Sequence, residues 1–367
     1  MGISRKVLIL NQHINNSLGG SELQCDLIAR NLHNLGHEVI YLAINGELAI
    51  TEYPYQYLPV EDNYASWINK ISKISPDIVY WRYDLNQFYK FSKELKKLKI
   101  PLIFSVSHIN NITTQELFKK LVTTPFKLKS KLRILRSIVN ITYNLKGFKF
   151  ISAMVVNNPD FLKTSKFNGV IKLIFNSNYT STKEYEHTKD YILWVANLKS
   201  DKRPELVIEL AKKIENKTID ILVVGDIQEK KYSYFKDSSN LPKNLQYLGK
   251  RTPKEVDQMV NNSLFVIHTC LPEGFPGIFI QAWLHGKGVL SLSFDPGGII
   301  ETNKLGFSAN GSFPLFLRAV NHWLENNTDR EEVKSIASTY AQSNFAPLRN
   351  AKILEKLIYE MSKIEAY

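Results

Sequence analysis

Glu273 and Gln281 stand eight positions apart, with Lys202 and His108 well upstream of them. These side chains offer a carboxylate, an amide, an ammonium and an imidazole, groups that hold phosphates and hydroxyls through charge-assisted hydrogen bonds. The passage carrying the first two, SLFVIHTCLPEGFPGIFIQAWLHGKGVLSLSFDPGG from Ser263 to Gly298, reads as strand, turn, helix and strand. Leu264 to Thr269 is an apolar β-rich run and Leu271 to Gly277 a turn cluster; a helix then runs to His285, and Val289 to Phe294 is the second strand. In such a unit the turn lies at the carboxyl end of the strand, and the helix begins with outward backbone N–H groups that favour an anionic ligand. Gly274, Gly277 and Pro276 let the backbone approach that ligand and set the helix entry. A structural loop with nothing bound fits the same residues, and Glu273 also fits a carboxylate that caps the helix.

The elements that must position these groups follow in order. Lys6 to Leu10 is a buried strand, a loop holds Gly19-Gly20, a helix spans Ser21 to Leu35, and Val39 to Ala43 is the next strand. This βαβ start predicts a doubly wound α/β sheet. The glycine loop is not G-x-G-x-x-G, so a dinucleotide fingerprint is absent. Helix Ala65 to Ile74, strand Ile78 to Arg82, helix Leu85 to Leu98 and strand Leu102 to Ser107 continue the alternation, with His108 at the end of the last. Ser152 to Asn157 reads as the last strand of the first domain and Val170 to Asn176 as the crossing into a second. That second domain starts with strand Tyr191 to Ala196, a loop from Asn197 to Lys202, helix Pro204 to Lys213, and strand Ile219 to Val224 ending at Gly225-Asp226. Strand Leu245 to Leu248 with Arg251 behind it, and helix Pro253 to Asn262, lead back to the central passage.

Composition bounds the chain as a globular protein. At 367 residues and 44% hydrophobic content it is long enough for two cores, and no internal repeat appears. No apolar run reaches membrane-spanning length, and Met1 to His13 enters a strand without a signal-peptide core, so a cytoplasmic protein is expected. Cys25 and Cys270 lack metal-ligand spacing and read as buried thiols. The net charge of +12 calls for an anionic partner. Its densest source is the stretch from Leu117 to Pro159, where Lys119, Lys120, Lys127, Lys129, Lys131, Arg133, Arg136, Lys146 and Lys149 occur with no acid, interleaved with apolar residues. That is a cationic amphipathic helix: a solvated surface helix, or a segment docking on an anionic membrane. No nucleic-acid module accompanies it.

Gly19-Gly20-Ser21-Glu22, His108, Val195-Ala196-Asn197-Leu198 followed by Lys202-Arg203-Pro204, Val223-Val224-Gly225-Asp226 and Glu273-x7-Gln281 resemble, over nearly the whole chain, the retaining nucleotide-sugar glycosyltransferases of family 4. The resemblance implies a GT-B fold: two Rossmann-like α/β domains, residues 1–175 and 176–344, facing across a cleft, with a last helix near 345–367 packing back on the first. It implies transfer of a sugar from a nucleoside diphosphate to a glycan or lipid-linked acceptor, in bacterial surface polysaccharide or lipopolysaccharide synthesis, without a metal or further cofactor.

In that resemblance Lys202 stabilises the leaving diphosphate, Glu273 stands beside the donor sugar and His108 donates to phosphate or sugar. The substrate-binding set becomes Gly19, Gly20, Asn197, Arg203, Gly225, Arg251, Gly274, Phe275, Pro276, Gly277 and Gln281. Two positions depart from the family. Asn197 replaces an arginine, a charge that Arg203 or Lys199 would have to supply, and Gln281 replaces the second acid of E-x7-E, leaving one acceptor oxygen for the ribose diol. A GT-B-shaped sugar-nucleotide epimerase and a catalytically silent glycan-binding homologue are the competing readings. Nucleic acid is not an expected partner; peripheral attachment to the inner face of the membrane through residues 119–149 is.

Overall fold

The computed structural model describes residues 3–16, 19–47, 52–123, 128–178, 180, 185–216 and 218–364. The chain divides into two units, residues 1–177 with 347–367, and residues 178–346.

The first unit runs β1 (Lys6–Asn11), α1 (Gly20–Asn34), β2 (Glu38–Ile44), β3 (Gln56–Val60), α2 (Tyr64–Ile74), β4 (Ile78–Trp81), α3 (Phe88–Lys97), β5 (Leu102–Val106), α4 (Gln115–Thr123), α5 (Leu128–Leu145), β6 (Ala153–Val156), α6 (Pro159–Thr164) and β7 (Val170–Leu173). Its strands form one parallel sheet in the order β3-β2-β1-β4-β5-β6-β7. β1, β4, β5 and β6 are apolar and almost wholly buried because helices cover both faces of such a sheet. β3 carries Pro59, which its edge place tolerates because one side of an edge strand needs no donor. Val170 to Leu173 is not a crossing into the second domain. It is a seventh strand, paired with β6 from Val156–Leu173 to Ala153–Val170. Four residues, one of them Lys172, were too short and too mixed to read as a strand.

The second unit runs β8 (Tyr191–Val195), α7 (Glu205–Lys213), β9 (Asp220–Val224), β10 (Leu245–Tyr247), α8 (Pro253–Asn262), β11 (Val266–His268), α9 (Gly277–Leu284), β12 (Val289–Ser291), α10 (Ile299–Thr302), β13 (Gly306–Ser308), α11 (Phe313–Glu325) and α12 (Asn327–Phe345). Its parallel sheet has the order β10-β9-β8-β11-β12-β13. Trp194, Phe265, Phe279 and Trp283 are fully buried and fill the spaces between sheet and helices. α8 starts where its sequence says it should: Thr252 Oγ accepts the Glu255 N–H while the Glu255 carboxylate accepts the Thr252 N–H, and Pro253 follows.

The chain then returns to the first unit as α13 (Pro347–Ile364). Leu354, Leu357, Ile358 and Met361 join Ile9, Cys25, Ala29 and Ile78 in one core cluster. Burying each such side chain is worth about 1.5–3 kcal/mol. Asn350 fastens the start of this helix, donating to the Phe175 carbonyl at 3.0 Å and to Ser177 Oγ at 2.9 Å.

Both sheets reverse direction once. The order changes hand between β1 and β4 in the first sheet and between β8 and β11 in the second. Open α/β sheets bind ligands at that place, outside the carboxyl ends of the strands, because adjacent loops there diverge to opposite faces and leave a crevice.

Candidate functional site

In the second unit, the loop after β8 and the loop after β11 flank the switch point, and they are stitched together. Thr269 Oγ, at the end of β11, donates to the Lys202 carbonyl at 2.8 Å and accepts from Trp194 Nε1 at 3.0 Å. The Leu271 N–H donates to the Asp201 carbonyl at 2.8 Å. This lacing brings the Lys202 ammonium to 2.5 Å from Glu273 Oε2, while His268 Nε2 lies 3.3 Å from Glu273 Oε1. The two oxygens of one carboxylate are therefore divided between two nitrogen bases.

Their charge states follow from this geometry. Burial works against charge on Glu273, but the His268 hydrogen bond and the Lys202 ammonium outweigh it and bring the carboxyl down to about 2. Burial likewise opposes charge on His268; Cys270 and Glu273 beside it prevail and push the imidazole up to about 9. Lys202 is also held above its ordinary value, burial being overcome chiefly by Glu273. At neutral pH this is a cation, anion, cation row at the mouth of α9.

Arg203 has its backbone in the left-handed region, at φ +50°, a conformation uncommon for a residue other than glycine. Its guanidinium donates to the Thr269 carbonyl at 2.7 Å and to Ser293 Oγ at 2.6 Å. Arg203 thus ties the loops after β8, β11 and β12 together. Asn197 is likewise engaged in the fold, its Oδ1 accepting the Asp226 N–H at 3.1 Å. Gly225 has φ +151°, and a Cβ there would fall 1.9 Å from the Ala196 carbonyl oxygen, so only glycine lets the ends of β8 and β9 come this close.

Pro276 caps α9 without a side-chain hydrogen bond, and Gly277 opens it. Phe275 does not face outward: its ring is 5% exposed and packs on Trp283 and Phe345. Gly274 is buried beside it. Gln281 is half-buried in α9, and its amide makes no hydrogen bond among the described residues. Arg251 is exposed before α8 and lies 4.0 Å from Glu255.

In the first unit, Gly19 caps α1 and a Cβ on Gly20 would meet no atom within 4 Å, so the backbone there is open to close approach. His108 follows β5 and caps a short 3-10 turn at 109–111, its Nδ1 accepting the Asn110 N–H at 3.1 Å. That acceptor role leaves Nε2 as the donor of a neutral ring. Arg82, at the end of β4, is 5% exposed; it donates to Asn176 Oδ1 at 2.7 Å, and its Nε has no partner among the described residues.

The basic stretch forms α4 and α5; Lys127 lies outside the described residues. Ile134 and Ile138 of α5 are buried, while Leu132, Leu135, Val139 and Tyr143 on it are exposed, as are Phe118 and Val122 on α4. The exposed set repeats at helical spacing among Lys129, Arg133 and Arg136. No helix among the described residues is long and apolar enough to cross a membrane.

Sequence reasoning did not single out His268 or Thr269, which read as ordinary members of an apolar strand. The available signal was two polar side chains ending a β run, five and four residues before a turn carboxylate. Nor was Cys270 grouped with them. His268, Cys270 and Glu273 each place one donor atom within 4.8 Å of the others, a set whose chemistry suits a borderline metal ion. The Lys202 ammonium, already against Glu273, competes with any cation for that carboxylate.

Residues 179–339 match the glycosyl transferases group 1 family. No curated protein matches the chain. Among solved structures it is similar to HepE of Anabaena in complex with UDP-glucose, with a TM-score of 0.74 at 16% identity over 97% of this chain and 100% of that one. It is similar to sucrose-phosphate synthase of Thermosynechococcus elongatus, with a TM-score of 0.74 at 12% identity over 97% and 99%. WaaG, a glycosyltransferase involved in lipopolysaccharide biosynthesis, gives a TM-score of 0.71 at 14% identity over 95% and 99%.

Proposed function

With residues 179–339 carrying a glycosyl transferases group 1 domain and the chain having the GT-B fold, we propose that this protein is a retaining glycosyltransferase using a nucleoside-diphosphate sugar. The single observation that carries the donor site is the meeting of Lys202 and Glu273 at the switch point of the second sheet, at the start of α9. Anionic diphosphate is favoured there by the ammonium and by the helix N-terminus.

The chemistry asked of these groups is modest. The bond between sugar C1 and the β-phosphate oxygen breaks, and the diphosphate leaves with the electron pair. An acceptor hydroxyl then bonds to C1 from the same face and passes its proton to the phosphate oxygen. Lys202 neutralises charge on the leaving group, and Glu273 accepts hydrogen bonds from donor hydroxyls. Such positioning and electrostatic stabilisation need neither a protein nucleophile nor a metal. Gln281, with its amide unengaged, stands one turn into α9 and is the candidate for the ribose, of whose diol its single acceptor oxygen would serve half. Gly19, Gly20 and His108 follow β1 and β5 of the first sheet and are the candidates for the acceptor.

The HepE complex with UDP-glucose supports uracil as the donor's base, and WaaG, involved in lipopolysaccharide biosynthesis, supports a role in surface-glycan synthesis. Exposed Leu132, Leu135, Val139 and Tyr143 between cations support attachment of the first unit to an anionic bilayer. The catalytically silent reading rests on Asn197, whose amide oxygen is taken up by the Asp226 N–H where the family has a cation.

Calorimetric titration with UDP, GDP and ADP tests the donor site. At least one should bind, and Lys202→Ala should weaken it; no binding of any at millimolar concentration overturns the assignment.

A further inference from the structure

We propose that His268 is a positioning residue of the donor site, one that keeps hold of the Glu273 carboxylate when Lys202 turns from Glu273 to the donor's diphosphate. The inference rests on the reading of Lys202 and Glu273 as donor-site groups and adds a residue to them.

Lys202 has two claims on its one ammonium. In this structure it is spent on Glu273 Oε2 at 2.5 Å. A nucleoside diphosphate brings two or more negative charges to the same place, and the ammonium is drawn toward them. A carboxylate that lost its only cation in so enclosed a pocket would be pushed toward protonation and would be free to swing. Glu273 has a second cation at its other oxygen, the His268 ring 3.3 Å from Oε1.

His268 is itself held from two neighbouring elements. It is 2% exposed at the end of β11. From α9, the Phe279 ring meets it edge-on with centroids 4.7 Å apart. From β12, Ser291 Oγ lies 3.4 Å from Nδ1, and that oxygen is itself fixed by accepting the Phe294 N–H at 3.2 Å. The charged or titratable groups facing the ring are Glu273 and Cys270 on its own loop, with Lys202 beyond the carboxylate; Arg203 is tied to Thr269 and Ser293. Burial disfavours the imidazolium, yet Cys270 and Glu273 keep it charged to about pH 9. The ring cannot follow the phosphate, so it stays with the carboxylate.

The test combines kinetics with a direct titration. In His268→Gln, which keeps a donor but cannot carry charge, kcat with the best sugar nucleotide of a UDP, GDP and ADP panel should fall about 10- to 100-fold, the range for groups that orient a site's contacting residues. KM should change little, and the wild-type loss of activity toward alkaline pH should be absent from the variant. A His268→Gln enzyme with wild-type kcat and an unchanged pH profile overturns the proposal. Should the wild type turn over no donor, the proposed function fails instead, and the proposal is judged on the ring alone. Carbon-13 histidine NMR should show His268 titrating above pH 8 in the wild type, with and without UDP, and at least one unit lower in Glu273→Gln. Titration near the ordinary 6.5 in both proteins overturns it, and so does tight Zn²⁺ binding by the wild type, since the ring would then be a metal ligand.

Discussion

Lys202 and Glu273, 71 positions apart in the chain, meet at 2.5 Å across the loops that follow β8 and β11. Their side chains are 13% and 27% exposed, so this pair is not one of the solvated surface ion pairs that contribute roughly 0–1 kcal/mol. It sets a cation and an anion side by side at the switch point of the second sheet.

Replacing either partner should therefore cost activity far more than folding. Lys202→Ala and Glu273→Ala are each expected to lower turnover by about two to three orders of magnitude, as deletion of a positioned charge-stabilising group does. Steady-state kinetics with circular dichroism melts checks this. Near-wild-type turnover in both variants would mean the site lies elsewhere.

Gln281→Glu tests the amide in α9. If Gln281 faces the ribose, a carboxylate supplies a second acceptor oxygen, and a charged hydrogen bond is worth roughly 1.5–3 kcal/mol before its own desolvation. Calorimetry should show tighter nucleotide binding. Weaker binding would indicate a pocket built around the amide.

Stability should depend on pH through the same carboxylate. Glu273 is depressed from 4.5 to about 2, so its contribution is complete above about pH 4.5 and lost as pH falls through 2. His268 is raised from 6.5 to about 9, so its contribution is complete below about pH 6.5 and lost as pH rises through 9. The melting-temperature gap between wild type and His268→Gln should be widest between about pH 4.5 and 6.5, on the order of a few degrees, and should close by pH 10. A gap that is flat from pH 6 to 10 would contradict the charged ring.

Much of this was legible in the residues. Alternating apolar runs and helical periods named the βαβ order, because parallel strands buried on both faces must be continuously apolar. Glycine and proline marked the loops at their carboxyl ends. The acid after β11 and the lysine after β8 named two side chains that the fold brings together. What escaped was pairing and direction. Val170–Leu173 is a strand only because β6 lies beside it. Phe275 read as a ligand contact, yet its ring serves the core with Trp283 and Phe345. Arg203 read as a spare cation, and its guanidinium is a fastening between loops. His268 read as strand because periodicity reports burial, not which polar atom a buried ring meets.

The exposed face of α5 carries its own prediction. Wild-type protein should sediment with phosphatidylglycerol vesicles at low salt and be released as salt rises, screening shortening the reach of each charge to about 8 Å at physiological ionic strength. Changing Lys129, Lys131, Arg133 and Arg136 to Gln removes about 1 kcal/mol each, so partitioning should drop by about 100-fold or more, with nucleotide binding unchanged. Protein that stays in the supernatant at low salt would make this an ordinary solvated helix.

The most direct measurement is proton NMR of the chain incubated with α-linked UDP-, GDP- and ADP-sugars, following diphosphate release and the anomeric signal of the first sugar product. The account predicts release of nucleoside diphosphate from at least one donor with the α configuration kept, and loss of that release in Lys202→Ala. Inversion to the β anomer, or no release from any donor at high protein concentration, would contradict it.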